Sequence, residues 1–349
     1  MKSDMKILNS LTYDHLSKLQ SVISTYVETN LNIKENSKVA VKLNLVGPYE
    51  PDKAATTHPE VVRCVVKALM PYKCQIMLCE DIENEKTLLK TGMKAVLEEY
   101  NLSFYNLRDH GYESISRNGT VYCYSSLIRH CDVLIDIPKY KTHLLTYFTG
   151  AIKNMYGCIS KSQRKELHKD MQSNQFERHI CAIYSIRPPD LVVTDAIIAM
   201  EGMGPSIGTP KYLGYLILCR NGIEADYCIS NLVGYPAEDL PIFQTVTGIM
   251  PELLEKAGKL NSESGIAERI TDFRRMPVYA GKLREKYLDI LRRSYQVDMK
   301  RCIQCGECAR NCPFGAIEFD GYPRFIKERC ALCICCMELC PVNAINYER

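Results

Sequence analysis

The sequence predicts an α/β domain with a largely parallel sheet flanked by helices, followed by a small α+β domain at the C-terminus. Three observations carry this prediction. Strand-like and helical patterns alternate over residues 1 to about 235, as in βαβ units. The strand-like segments are nearly continuous apolar runs, as expected of strands covered on both faces. Nine of the eighteen cysteines lie between Cys302 and Cys340, and none lies between residues 229 and 301.

Asp14–Asn30 places Leu16, Leu19, Val22, Ile23 and Tyr26 at three- and four-residue spacing, which predicts an amphipathic helix. Lys38–Val46 alternates apolar and polar residues and predicts a strand. Thr57-His58-Pro59-Glu60 resembles a capping box with Thr57 as N-cap and Pro59 in the first turn. The helix that follows carries Val61, Val62, Val65, Val66 and Leu69. Gln75–Cys79 is the next strand, Thr87–Tyr100 a helix and Leu102–Leu107 a strand. Asp132–Pro138, Asp190–Ala199 and Leu213–Cys219 are further apolar strands, and Ile223–Leu232 is helical. Pro241, Pro251, Gly258 and Pro277 then interrupt short helical pieces, and Gly281–Val297 reads as a long polar helix. The expected division is an α/β domain over 1–240, a helical connector over 241–298 and a cysteine-rich domain over 299–349.

Apolar residues at 46% and charged residues at 24% describe a globular chain. The net charge of +3, from 44 basic and 41 acidic residues, argues against a nucleic-acid binder held by bulk charge. The N-terminus is polar, and runs such as Tyr212–Cys219 fall far short of the ~20 residues that cross a bilayer. No membrane span and a cytoplasmic, reducing location are expected. There a cysteine cluster means metal.

The tail reads Cys302-x2-Cys305-x2-Cys308-x3-Cys312-Pro313, then Cys330-x2-Cys333-x2-Cys336-x3-Cys340-Pro341. Two-residue gaps aim three thiolates of each run inward around one small object. The fourth ligand of each run serves the other cluster in two-cluster proteins of this spacing. Two [4Fe-4S] clusters are therefore expected, one on Cys302, Cys305, Cys308 and Cys340, the other on Cys330, Cys333, Cys336 and Cys312. Gly315-Ala316-Ile317 and Asn343-Ala344-Ile345 repeat one register after each Cys-Pro, so the tail is an internal duplication. Zinc sites use CxxC pairs and do not account for two such runs. Cys335 falls outside the pattern and is expected to be a small packing residue, as are the nine cysteines of the body.

In the body, Pro138-Lys139-Tyr140-Lys141-Thr142-His143 begins where an apolar strand ends, and Lys153-Asn154 follows. Ligands of open α/β sheets bind beyond the carboxyl ends of strands. These cations suit a carboxylate, a phosphate or a developing oxyanion, and equally suit a solvated basic loop. Lys42 and Asn44 close the first long strand, with His58 at the next helix start, where an anion or mere capping are comparable readings. Glu201–Gly208 follows the strand holding Asp195. Its glycines are spaced GxGxxxG, unlike the dinucleotide fingerprint. Arg164, Lys165 and His168 lie on a charged helical stretch expected to be exposed.

The segments KLNLV (42–46), TTHPEVV (56–62), residues 132–159, residues 190–210 and EADYCISNLVG (224–234) resemble the domain-of-unknown-function 362 family, and the tail resembles a bacterial two-cluster ferredoxin. The resemblance implies one α/β domain plus ferredoxin. It also implies that Lys42, Asn44, His58, Lys139, Lys141, His143, Lys153, Asn154, Asp195, Glu201 and Asp226 surround one cleft. The expected function is that of a ferredoxin-linked oxidoreductase whose clusters exchange electrons with a substrate or an organic cofactor such as a flavin. His58, His143 and Lys141 would be catalytic. Lys42, Asn44, Lys139, Lys153, Asn154, Asp195 and Glu201 would bind an anionic substrate. A redox partner protein or reductant is expected. A non-catalytic electron carrier, and a cleft enzyme with structural clusters, are the alternatives.

Overall fold

A computed structural model describes residues 5–143, 145–172, 175–206, 208–249, 270–275, 295–330, 333, 335–342 and 344–347. The chain begins with β1 (Lys6–Leu8), α1 (Leu16–Asn30), β2 (Lys38–Lys42), α2 (Pro59–Leu69), β3 (Gln75–Glu80), α3 (Lys86–Lys90), α4 (Met93–Glu99) and β4 (Phe104–Asn106). It continues with β5 (Tyr112–Arg117), β6 (Thr120–Ser125), α5 (Ser126–Arg129), β7 (Val133–Asp136), β8 (Lys139–His143), β9 (Tyr147–Thr149), α6 (Ala151–Asn154), α7 (Lys161–Leu167) and α8 (Gln175–Ile186). The long strands β10 (Leu191–Glu201) and β11 (Thr209–Cys219), then α9 (Gly222–Leu232) and α10 (Pro241–Ile249), complete the body.

The main sheet runs β1-β11-β10-β7-β2-β3-β4, with β8 beside β10 and β9 beside β8. Strands β10, β7, β2, β3 and β4 are parallel, whereas β11 and β1 join antiparallel at one edge. The fold is thus the expected mixed α/β class with a mostly parallel sheet. Strand β2 has β3 on one side and β7 on the other. The connections wind away from it in both directions, which opens a crevice at its carboxyl end.

Alternation along the strands explains how they are covered. Val39, Val41, Ile135, Val193, Leu216 and Leu218 pack with Leu19, Ile23 and Val27 of α1 and Val62, Val65 and Val66 of α2. Ala40, Leu134, Val192 and Ile217 face the other way, toward Ile152, Ile180, Ile183 and Ile229. Both faces are dry, so the strands read as apolar runs. Of the body cysteines, Cys64, Cys79, Cys131, Cys158, Cys181, Cys219 and Cys228 are buried, while Cys74 and Cys123 are partly exposed.

Several local expectations change. The N-cap of α2 is His58, whose Nδ1 accepts from Glu60 N at 3.3 Å. Thr57 instead accepts from Asn44 N at 2.9 Å and donates to Ile137 O at 2.7 Å, lacing the ends of β2 and β7 together. The helix expected over 87–100 breaks at Gly92, which adopts φ +75°, into α3 and α4. Residues 139–143 form a buried strand and not a loop, because their polar groups find partners inside the protein. The long helix expected over 281–297 falls mostly outside the described residues. Its last three residues are β12 (Tyr295–Val297), paired antiparallel with β15 (Ile345–Tyr347) of the tail.

The tail also contains α11 (Glu307–Arg310), the hairpin β13 (Ile317–Asp320) and β14 (Tyr322–Phe325), and α12 (Cys335–Glu338). Met337, Ile317 and Ile345 join the same apolar cluster as body residues. Lys165 Nζ also donates to Arg310 O at 2.7 Å. Among the described residues no helix is long and apolar enough to cross a membrane.

The glycine-rich loop after β10 folds back on β8. Gly204 N donates to Thr142 Oγ1 at 3.2 Å, and a Cβ on Gly204 would overlap the Thr142 carbonyl. Gly204→Ala is expected to cost about 1–3 kcal/mol, as overpacking does, read as a lowered midpoint of chemical denaturation.

Candidate functional site

The crevice at the ends of β2 and β3 is a cavity of about 510 Å³. Its body side presents Lys42, Asn44, Glu80, His143, Lys153 and Asn154, with Lys161, Arg164, Lys165 and His168 from α7 and its end. Its other wall comes from the tail, through Asn311, Cys335, Leu339, Cys340 and Pro341. The cavity therefore lies between the α/β body and the cysteine-rich tail.

A buried polar network forms the floor. Lys42 Nζ pairs with Glu80 Oε2 at 2.8 Å and donates to Leu43 O at 2.8 Å. Burial alone would lower the Lys42 ammonium's pKa, but the Glu80 carboxylate outweighs it and the pKa stands above the ordinary lysine value. Leu45 N donates to the same Glu80 oxygen at 3.1 Å. Asn154 Nδ2 reaches Asp136 Oδ1 at 2.6 Å and Leu43 O at 3.2 Å, and Asn44 Nδ2 donates to Asn154 Oδ1 at 2.7 Å. Asp136 stands opposite Lys42 across the β2–β7 ladder. Burial raises its carboxyl well above the usual range, against the pull of Lys42.

The upper part of the cavity is aromatic and cationic. Lys153 Nζ lies 4.2 Å from the centroid of the Tyr156 ring, a cation–π contact. His143 Nδ1 accepts from Leu145 N at 3.2 Å and Thr146 N at 3.4 Å, which leaves Nε2 as the N–H donor. Burial, then Lys153, Lys141 and His168, hold its pKa well below the ordinary imidazole value, so the ring is neutral at pH 7. His168 is lowered to about 4 by burial and by Lys153. The unfolded chain binds a proton at this histidine below about pH 6.5, while the folded chain resists until about 4. Its contribution is therefore intact above pH 6.5 and shrinks as pH falls toward 4. Denaturation of wild type against His168→Gln should show the stability difference moving against wild type across that window. A difference that is flat with pH would contradict it.

Not all of the expected site residues meet here. Among the described residues, His58, Lys139, Lys141, Asp195, Glu201 and Asp226 do not line this cavity. Lys139, Asp195, His58 and Tyr13 form a second, buried cluster. Lys139 Nζ pairs with Asp195 Oδ2 at 2.9 Å and donates to Tyr13 Oη at 2.7 Å, and Tyr13 donates to Asp195 Oδ1 at 2.7 Å. His58 stacks on Tyr13 with ring centroids 3.5 Å apart, and its backbone N–H donates to Asp195 Oδ2 at 3.1 Å. Burial lowers its imidazole to about 4. Lys141 Nζ donates to Ala55 O at 2.5 Å. Glu201 pairs with Arg274 at 2.6 Å, and Asp226 accepts from Ala151 N and Ile152 N at the start of α6, at 2.7 and 2.9 Å. The single cleft implied by resemblance thus resolves into one cavity and several structural tethers.

In the tail, Cys302, Cys305, Cys308 and Cys340 line one small cavity, walled by Ile303, Phe319, Pro323, Val342 and Ile345. Burial raises the Cys308 thiol to about 11, and Cys340 and Cys305 are the neighbours that add to it. Cys336 is raised well above its ordinary value by burial and then by Cys333, Cys330 and Cys312. Soft sulfur donors gathered in this setting fit an iron–sulfur centre. Ala316 N donates to Cys312 Sγ at 3.3 Å and Ala344 N to Cys340 Sγ at 3.2 Å, bonds of the kind that tune such centres.

Residues 39–231 match the family described as Domain of unknown function (DUF362). The chain belongs to the DUF362 family. Residues 295–318, which hold the first cysteine run, match the 4Fe-4S binding domain, so this DUF362 protein carries an iron–sulfur, electron-transfer module. A thylakoid-associated protein of Synechocystis sp. is 23% identical over 265 residues, covering 73% of this chain and 83% of that relative. Two solved structures are similar over part of the chain. The lactate racemase apoprotein of Thermoanaerobacterium thermosaccharolyticum is 13% identical with a TM-score of 0.36, over 56% of this chain and 51% of its own. A Thermotoga maritima protein is 14% identical with a TM-score of 0.39, over 73% of this chain and 60% of its own. The DUF362 chain thus spans about half the racemase length and three fifths of the other.

Sequence reading of this DUF362 protein passed over Glu80, Asp136, Tyr156, Arg164 and His168. Glu80 and Asp136 end parallel strands, and the strand-end rule that selected Lys42 applies equally to them. Arg164 and His168 were expected on an exposed helix face. His168 is buried, and Arg164 is tied to Asp81 and to Gly157 O at 3.3 Å. Nothing local distinguishes them, because Arg164 is held by Asp81 beyond the β3 end and His168 packs on Tyr156 and Phe176.

Proposed function

We propose that the protein is an oxidoreductase in which two [4Fe-4S] clusters exchange electrons with a substrate or organic cofactor held in the cavity. The observation that carries this is that Cys340, assigned to the first cluster, lines both its own small cavity and the cleft that holds Asn44, His143 and Lys153. Electrons reaching that cluster need no further carrier to arrive at the cleft wall. The first cluster takes Cys302, Cys305, Cys308 and Cys340, and the second Cys330, Cys333, Cys336 and Cys312. Lys153 with the His143 N–H favours an anionic group, and His143 is the group in the cavity suited to give and regain a proton. Lys42, paired to Glu80, acts by holding the floor. The 1–240 body is the substrate domain and the tail the relay for a redox partner, in a cytoplasmic setting that keeps the body thiols reduced.

The test is made on anaerobically purified protein. Iron and sulfide should count to about eight each per chain, as two cubanes require. Mass analysis identifies any flavin. Dithionite-reduced clusters are then mixed with candidate anionic oxidants and followed by their visible absorption. Reoxidation that depends on Lys153 and His143 is the expected result. Reoxidation indifferent to Lys153→Met and His143→Gln would leave a carrier, with no chemistry in the cleft.

A further inference from the structure

Resting on the reading of the cavity as a redox site for an anion, we infer that its ligand carries at least two separate anionic groups, carboxylate or phosphate, one toward Lys153 and another toward the lysines of the mouth, Lys86, Lys161 and Lys165.

The charge of the lining carries this inference. Among the described residues the cavity wall holds six cations, Lys42, Lys86, Lys153, Lys161, Arg164 and Lys165, against three carboxylates, Glu80, Asp81 and Glu83. His143 and His168 add nothing, because both imidazoles are neutral at pH 7. The described residues on the tail side of the wall add no charged side chain. An excess of three positive charges therefore faces one concave space, where low-dielectric walls focus it.

The carboxylates cannot absorb this excess, since each is already shared. Glu80 is taken by Lys42 at 2.8 Å. Asp81 pairs with both Arg108 and Arg164, and Glu83 pairs with Arg108 at 3.2 Å and Lys161 at 2.8 Å. Two acids thus meet three cations. Lys165 Nζ is held by a neutral carbonyl, Arg310 O, and Lys153 Nζ lies over the Tyr156 ring. Neither contact cancels a charge.

The cations are also open to a ligand. Lys86 is exposed, the Lys161 side chain is 34% exposed, and Lys153 and Lys165 are half-buried. They stand on different elements: Lys153 on α6, Lys86 at the start of α3, and Lys161 and Lys165 on α7. A cavity of about 510 Å³ takes a whole organic ligand. Two anionic groups on one such ligand can meet cations on different elements, as a single carboxylate cannot. The competing use of these lysines is to balance the clusters across the cavity, since a cubane on four thiolates is itself negative. Titration separates the two uses.

The experiment uses the oxidised, anaerobic holoprotein without reductant, so that binding is read apart from electron flow. Propionate, succinate and 3-phosphonopropionate are titrated by calorimetry at low ionic strength. They share a short carbon chain and differ in the second anionic group. Each dianion should bind at least about tenfold tighter than propionate, and the preference should shrink as salt is added. The tighter of the two identifies the second group as carboxylate or phosphate-like. Lys86→Gln and Lys165→Gln should each weaken the dianions by about threefold to tenfold and barely change propionate, whereas Lys86→Arg should keep the preference. The cluster spectrum and far-UV circular dichroism establish that each variant is folded. If Lys165→Gln disturbs the tail, the exposed Lys86 decides. Equal affinity for propionate and both dianions, a preference unchanged in folded Lys86→Gln, or no binding of any probe would overturn the inference and leave the lysines balancing the clusters. A dianion preference without any reoxidation of reduced clusters would overturn the redox reading and leave this one standing.

Discussion

Cys340→Ala should reduce bound iron from about eight to about four atoms per chain, because in the proposed ligation it removes one ligand of the first cubane and none of the second. It should also remove any reoxidation that runs through the cleft, since Cys340 stands in the wall of both cavities. Cys312→Ala should give the complementary loss, with the second cluster missing and the first still seen by electron paramagnetic resonance. Crossed ligation makes these two variants distinguishable. If each run held its own cubane, Cys312→Ala would remove the signal assigned to Cys302, Cys305 and Cys308. The measurement is iron analysis together with the spectra of the surviving cluster in each variant.

The second large effect lies outside the cleft. Lys139→Met should lower stability by about 3–5 kcal/mol, because it leaves the Asp195 carboxylate buried without its cation. Both side chains of this pair are wholly buried. Tyr13 Oη and the His58 backbone N–H would still donate to Asp195, which limits the loss. Burial lowers the Lys139 pKa, against the pull of Asp195. The double variant Lys139→Met with Asp195→Asn should recover part of the loss, since no net charge is then buried alone. Chemical denaturation gives both numbers. A Lys139→Met protein as stable as wild type would show that the cluster is not the tether described here. Anion binding in the cleft should survive wherever the variant folds, because neither residue lines it.

Much of the architecture was legible because it depends on local periodicity. The alternating run at Lys38–Val46 and the apolar runs at Asp132–Pro138 and Asp190–Ala199 became β2, β7 and β10. The two-sided burial of β7 and β10 is written in consecutive apolar residues, which no half-exposed strand would carry. The short β8 was missed because four of the five residues of Lys-Tyr-Lys-Thr-His are polar, with no apolar run to mark a buried strand. Its lysines are buried only because Asp195 and Ala55 O, distant in sequence, come to meet them. The cap of α2 shifted by one residue for a similar reason. Thr57 had the better local chemistry for capping, but its hydroxyl was taken by the ends of two strands.

The same distinction separates the site residues. Lys42, Asn44, His143, Lys153 and Asn154 were found from strand ends and motif segments, and they do line the cavity. His58, Lys139 and Asp195 came from the same segments and lie in another cluster, gathered around Tyr13 from a distant part of the chain. His168 and Arg164 have the sequence pattern of a solvated face, yet His168 packs on Tyr156 and Phe176 and Arg164 pairs with Asp81.

By itself the sequence determined the α/β class, the family and the cysteine spacing from which an iron–sulfur tail follows. Each rests on short-range order: a period of two or 3.6, or three thiolates brought together by one loop. Only the tertiary structure decided which polar residues share a cavity and that the tail walls that cavity through Cys340. These are meetings between residues tens to hundreds of positions apart. No local pattern encodes them, because burial and pairing belong to the packed chain and not to any segment of it.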